Sequence, residues 1–265
     1  MRFSTTPIVQ RLLIINVVVF AFANIFRGSI DLDRWFALHS FYSDSFIPFQ
    51  FITYMFMHAD LGHIFSNMFG LYIFGPMLEH FLGTKKFLTL YMICGLGAGF
   101  LYWGINAYEV HQVQEASIEY IAKPSPEAFT DFLYRNAPDI YKQSLNFIDN
   151  FAEHPGDVQM IDETKKAASE IALRQTGFTM VGASGAIFGI LMAFALLFPN
   201  TEMMLLFPPI PIKAKYLVGA YAAYEIYAQF RNSPTDNVAH FAHLAGMLFA
   251  FILIRYWKTN RNSFY

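Results

Sequence analysis

The sequence predicts an all-α membrane protein, a bundle of six transmembrane helices with a helical insertion on its extra-cytoplasmic side. Three observations lead there. Only 14% of the 265 residues are charged, where a soluble domain carries roughly 25%. Hydrophobic residues make up 55% of the chain and the mean hydropathy is +0.34. Apolar stretches approaching the roughly 20 residues that a helix needs to cross a hydrocarbon core recur along the chain. They lie at 8–26, 51–78, 87–106, 182–198, 215–230 and 238–257.

The first stretch imitates a secretory signal, with a short basic n-region, an apolar core and Ala21-Phe22-Ala23. Flanking charge favours a retained helix instead. With the N-terminus in the cytoplasm, Arg2, Arg11, Lys85, Lys86, Lys213, Lys215, Arg255, Lys258 and Arg261 all fall on the inner side, as the positive-inside bias requires. Six crossings then return the C-terminus to the cytoplasm. The third stretch holds the lone cysteine, Cys94, which excludes an intrachain disulfide or a thiolate metal cluster and reads as a packing residue.

Residues 107–177 interrupt the apolar pattern with 12 acidic against 6 basic residues, and a segment of that charge belongs outside. Pro126 near a helix start, with Phe129, Phe132 and Leu133 at helical spacing, predicts one short amphipathic helix. Ile140, Phe147, Ile148 and Phe151 predict another. The expected division is therefore 1–106 for the first three membrane helices, 107–177 for a soluble acidic insertion that caps the fold, and 178–265 for the last three. A net charge of -2 and a pI near 6.4 leave no basic surface for nucleic acid.

Polar residues inside membrane segments are costly, and each is a candidate functional group. In HADLGHIFSN, His63 and Asn67 stand four apart and share a helix face, while His58 falls about 140° away round the same helix. The sixth stretch offers His240 and His243, and the fourth offers Ser184 in VGASGAIFG. The second, fourth and sixth helices all run inward in this topology, so Ser184, His243, His63 and Asn67 share one depth. Gly185, Gly189 and Ala193 beside Ser184, and Ala242, Gly246 and Ala250 beside His243, form two small-residue stripes. Such stripes let membrane helices approach closely enough for a hydroxyl to reach an imidazole. A single membrane serine more often bonds back to its own helix, and only the constellation turns Ser184 into a candidate nucleophile.

At these residues the chain resembles the rhomboid family of intramembrane serine proteases, of bacterial type. GASGAIFG is similar to its GxSG nucleophile motif, HIFSN to its second-helix HxxxN motif, and HFAHLAG to its sixth-helix histidine followed by small residues. The resemblance covers the membrane portion and leaves out 107–177. It implies Ser184 as nucleophile and His243 as general base, a dyad with no acidic third member. His63 and Asn67 are implied as oxyanion donors, together with the Ser184 amide. Implied too are single-span membrane proteins as substrates, the lipid bilayer as surroundings, a bacterial inner membrane as location, and no cofactor or metal. Glu79, in GPMLEHFLG, stands where the family carries a structural glutamate, and reads on its own as a charge capping a membrane helix end.

Two departures stand out. Phe49-Gln50 replaces the family's Trp-Arg before the second helix, which removes an arginine contact, and Phe188 replaces a tyrosine four residues after the serine. Two rival readings stay open. One is a metal or haem protein ligated by His58, His63, His240 and His243, against which stand the lack of a carboxylate beside these histidines and the lack of an HExxH pattern. The other is a catalytically silent relative that binds membrane helices. Glu225 on the fifth helix has no basic partner in the sequence and reads as an interface packing residue.

Overall fold

A computed structural model describes residues 5–204, 210–231 and 239–259. Arg2 and Arg261 of the charge distribution, and Val238 at the expected start of the sixth helix, lie outside the described residues. The chain is an all-α membrane protein: the only strand pairing among the described residues is in two ladders of two or three residues per strand.

The N-terminal helix α1 spans Pro7–Phe26, followed by the short α2 at Leu32–Phe36 and strand β1 at Leu38–His39. The expected helix over 51–78 is broken. Helix α3 (Gln50–Thr53) and a 3-10 turn (Tyr54–Phe56) give way to extended backbone at Met57, and α4 begins only at Leu61 and runs to Leu82. Asp60 imposes the restart, because its carboxylate accepts the backbone N–H of His63 and caps α4. His58 therefore lies outside the helix that carries His63, and the angle between them expected from one continuous helix does not apply.

Helix α5, Thr84–Ala122, is 39 residues long where 20 were expected at 87–106. At 1.5 Å per residue it extends about 58 Å, roughly twice the hydrocarbon thickness. The boundary expected at residue 107 thus falls inside a continuous helix. Four helices follow, α6 (Pro126–Asn136), α7 (Pro138–Gln143), α8 (Leu145–Glu153) and α9 (Val158–Thr176). After strand β2 (Thr179–Met180) come α10 (Ser184–Leu197), the antiparallel pair β3 (Glu202–Met204) and β4 (Pro211–Lys213), then α11 (Ala214–Arg231) and α12 (His240–Thr259).

Among the described residues, α1, α5 and α12 are long and apolar enough to cross a membrane. Helix α10 is apolar but has only 14 residues, and α4 and α11 interrupt their apolar faces with groups such as Asn67, Glu79 and Glu225. Of the six expected spans, α1, α5 and α12 carry the apolar length, and the polar groups sit on α4, α10, α11 and the start of α12.

The chain folds into two compact units. One comprises Met1–Leu38, Ile47–Tyr102 and Met180–Tyr265, the other His39–Phe46 and Trp103–Thr179. Within the first, α10 and α12 pack backbone against backbone. A Cβ added to Gly246 would overlap the carbonyl oxygen of Gly185, and one added to Gly189 would meet Cys94 at 2.5 Å. The two stripes read from the sequence face each other here, with Ala193, Ala242 and Ala250 fully buried. Glu79, 2% exposed, accepts the backbone N–H groups of Ile8 (3.1 Å) and Val9 (3.0 Å) and the Thr84 hydroxyl. It supplies the negative cap that α1 lacks locally, since Thr6 makes no side-chain cap bond.

Gln50 occupies the position of the family's arginine without leaving a gap. Its buried amide donates to the carbonyls of Arg34 and Trp35, and its oxygen accepts from Ile47 N–H, so one neutral side chain pins the loop before α4. The second unit has a core of its own, in which Phe129, Phe132, Leu133, Ile148 and Phe151 pack with Tyr120. The helix expected around Phe129, Phe132 and Leu133 is α6, whereas the group read as a second helix is divided at Ser144, with Ile140 on α7 and Phe147, Ile148 and Phe151 on α8. The Tyr120 hydroxyl donates to Thr164 at 2.6 Å, and Thr164 in turn to the Ile161 carbonyl, so the buried hydroxyls are satisfied.

Candidate active site

Ser184 is the first residue of α10. The backbone just before it is held by Gly182, whose N–H donates to the Tyr54 carbonyl at 2.9 Å and whose φ of 125° is open only to glycine. Space as well as dihedral demands glycine. A Cβ at Gly182 would lie 2.6 Å from His63 Nε2 and 3.8 Å from Asn67 Nδ2. The HxxxN pair of α4 therefore converges on the chain two residues ahead of the serine.

His243, one turn into α12, closes the other side. Its Nε2 lies 2.9 Å from Ser184 Oγ, the distance at which a hydroxyl proton can pass to an imidazole. Phe188, one turn after Ser184 on α10, stacks flat on the ring with centroids 4.1 Å apart and planes within 8°. The tyrosine hydroxyl of the family pattern is absent, while the ring contact is kept. Small residues make the approach possible, because Gly185 and Gly246 bring the two backbones into contact beside the pair.

Asn67 is 4% exposed, and its Nδ2 has no hydrogen-bond partner. An unpaired buried donor ordinarily costs about 1–3 kcal/mol. His63 is half-buried, and His58 meets it edge-on at 5.1 Å between centroids. The four residues expected from sequence thus gather around one point, and His58 lies buried behind His63.

The glutamate on α11 corrects the sequence reading. Glu225 is not an isolated packing residue: its Oε2 lies 2.6 Å from His240 Nδ1 and 3.0 Å from His243 Nδ1. A carboxylate does stand beside these histidines. Ala214, Val218, Glu225 and Ala228 form one buried face of α11, and that helical spacing is the signal that directs the carboxylate inward. Among the described residues, Glu225, His240 and His243 each offer a ligand atom within 4.8 Å of the others, and together they could hold a metal ion.

Helices crossing a membrane and polar side chains gathered at one seam define a multi-pass membrane protein with a serine–histidine site. The family model described as the Rhomboid domain matches residues 47–113 and 163–258. That is more than half of the chain, and the chain belongs to the rhomboid family. Three relatives agree. RHOMBOID-like protein 12, mitochondrial, of Arabidopsis thaliana is 31% identical over 46% of this chain and 36% of its own. Rhomboid-like protein 11, chloroplastic, of the same plant is 40% identical over 21% of this chain and 20% of its own. An uncharacterized rhomboid protein of Schizosaccharomyces pombe, named mitochondrial, is 26% identical over 81% of this chain and 52% of its own. The chain thus spans about half or less of the curated relatives that it matches.

Proposed function

We propose that the protein is an intramembrane serine endopeptidase that cleaves single-span transmembrane proteins. The observation that carries this reading is the 2.9 Å approach of His243 Nε2 to Ser184 Oγ beside an unpartnered buried Asn67 amide. Ser184 Oγ attacks the scissile carbonyl carbon while its proton passes to His243 Nε2. The tetrahedral oxyanion forms against Asn67 Nδ2, His63 and the backbone amide of Ser184. The C–N bond then breaks, and the imidazolium gives its proton to the departing amine. Water enters with His243 again as base, releases the acyl group and restores the hydroxyl. No cofactor enters any step, and the bilayer serves as the medium that delivers substrate. An intact helix hides its carbonyls in its own hydrogen bonds, so the substrate helix unwinds at the cut.

Orientation follows charge. Lys85, Lys86, Lys213, Lys215, Arg255 and Lys258 stand at the ends of the helices opposite Ser184. We read that side as cytoplasmic and the site as open to the other face. The termini then share the inner side, and 107–177 lies outside. The bacterial inner membrane implied by the resemblance fits this orientation, while the relatives carry mitochondrial and chloroplastic names.

The test is labelling with a fluorophosphonate together with cleavage of a reconstituted single-span substrate. Wild type is expected to label at Ser184 and to cut, and Ser184→Ala and His243→Ala are expected to do neither while remaining folded. Undiminished cleavage by Ser184→Ala would sink the reading. A metal-dependent mechanism is a second reading, favoured by the Glu225, His240 and His243 cluster. Stoichiometric bound metal whose removal abolishes cleavage would establish it in place of the serine mechanism. A silent helix-binding relative would neither label nor cut.

A further inference from the structure

We propose that Glu225 is a positioning residue for His243, its carboxylate orienting the imidazole so that Nε2 faces Ser184 and the ring proton stays on Nδ1. This rests on the proteolytic reading above and replaces its two-membered site with a three-membered one drawn from α10, α11 and α12.

Two short contacts meet at His243. Ser184 Oγ is 2.9 Å from His243 Nε2, and His243 Nδ1 is 3.0 Å from Glu225 Oε2. A neutral imidazole has one donor nitrogen and one acceptor nitrogen, while an ionised carboxylate can only accept. By its charge, the carboxylate 3.0 Å from Nδ1 favours the tautomer with hydrogen on that nitrogen, which leaves the Nε2 lone pair toward the serine; the contact itself is close but not aligned as a hydrogen bond. The opposite tautomer would present Ser184 with an N–H and could not take its proton. Phe188 fixes the remaining freedom of the ring by stacking on its face at 4.1 Å.

His240 explains how the carboxylate stays in place. It stands nearly one turn before His243 on α12, and its Nδ1 approaches the same oxygen at 2.6 Å, the shorter and better aligned of the two contacts. The Glu225 side chain is 5% exposed, and those of His240 and His243 are 7% and 9% exposed. A buried carboxylate is costly unless polar groups surround it; His240 supplies a hydrogen bond, and His243 Nδ1 stands within 3.0 Å of the same oxygen. A residue needed only for packing between α11 and α12 would be served by an apolar side chain without that cost.

During attack the proton leaves Ser184 Oγ for His243 Nε2, and the charge of the new imidazolium faces Glu225 across a buried contact, where attraction is stronger than in water. Glu225 stays ionised throughout, because the Nδ1 proton does not move. When the amine departs it takes the Nε2 proton, and the ring returns to the tautomer that Glu225 holds.

The experiment compares Glu225→Gln with Glu225→Asp in the full chain, reconstituted in lipid vesicles. Fluorophosphonate labelling rate, kcat, KM and thermal stability are read for each. The isosteric Glu225→Gln keeps volume and loses charge, whereas Glu225→Asp keeps charge and loses a methylene. A positioning role predicts a fall in kcat and labelling of about 100-fold or more for Glu225→Gln with KM within about twofold. It also predicts that Glu225→Asp retains more activity than Glu225→Gln. A packing role predicts the reverse order, and that order, or Glu225→Gln labelling within about twofold of wild type, overturns the proposal.

Should Glu225→Gln fail to fold, the double replacement Glu225→Leu with His240→Leu removes the buried charge together with its partner. Folded protein of that kind is expected to label at least about 100-fold more slowly, and wild-type labelling by it overturns the proposal. If wild type itself neither labels nor cuts, the protease reading fails first. If wild type does both and the glutamate variants match it, only the role of Glu225 fails.

Discussion

The seam between α10 and α12 and the core of the Trp103–Thr179 segment solve packing in opposite ways. At the seam, glycines and alanines bring two backbones together, and a Cβ on Gly246 would overlap the Gly185 carbonyl. In the other core, Tyr120, Phe129, Phe132, Phe147 and Phe151 fill the space with rings at 5.5–6.5 Å between centroids. The first arrangement fixes distance and leaves polar groups facing one another; the second buries apolar area and keeps few polar atoms inside. Chemistry is built where the backbone cannot give way, and side-chain interdigitation serves where only stability is needed.

That contrast can be broken at its strongest point first. Gly246→Leu is expected to abolish fluorophosphonate labelling, because the added side chain meets backbone that cannot rotate aside. Labelling at a wild-type rate would show that the seam tolerates separation. Phe151→Ala, in the aromatic core, is expected to cost about 3–5 kcal/mol of that unit's stability. Limited proteolysis within 126–176 should report the loss, and protection equal to wild type would contradict the assigned core.

Asn67→Ala removes one donor without disturbing either packing scheme, and kcat is expected to fall about 100- to 1,000-fold with KM little changed. An unchanged kcat would remove Asn67 from the oxyanion site. Ser125→Ala deletes the hydroxyl that accepts Ala128 N–H at the start of α6. About 1 kcal/mol of local stability should go with it, visible as faster amide exchange in the first turn of α6 and not at the seam.

How far each region could be read from sequence follows from the same contrast. The insertion helices announce themselves by period: Phe129, Phe132 and Leu133 recur at helical spacing among polar residues, so their burial was expected and is found. In the membrane portion nearly every residue is apolar, period carries little, and exceptions carry the information. Ser184, His243, His63 and Asn67 were legible because each is a polar group in an apolar run. Glu225 was equally conspicuous, yet its partner could not be named, since the link to His240 and His243 runs between two helices rather than along one. The break at Met57–Asp60 was hidden for another reason. A capping aspartate within a long apolar window restarts a helix with no proline to mark it, and the glycine that follows, Gly62, sits inside the new helix. The compensation by Gln50 is likewise tertiary, because its partners Arg34 and Trp35 precede it by 16 and 15 positions.

The carboxylate of Glu79 has a consequence for how the protein is made. The amides of α1 that it accepts stand 71 and 70 residues earlier in the chain. While the ribosome is still extending the intervening segment, the first turn of α1 has only interfacial water to bond its amides. Completion of α4 brings the carboxylate that accepts them. The start of α1 is therefore completed by a residue that the chain supplies 70 and 71 positions later, and not by a local cap.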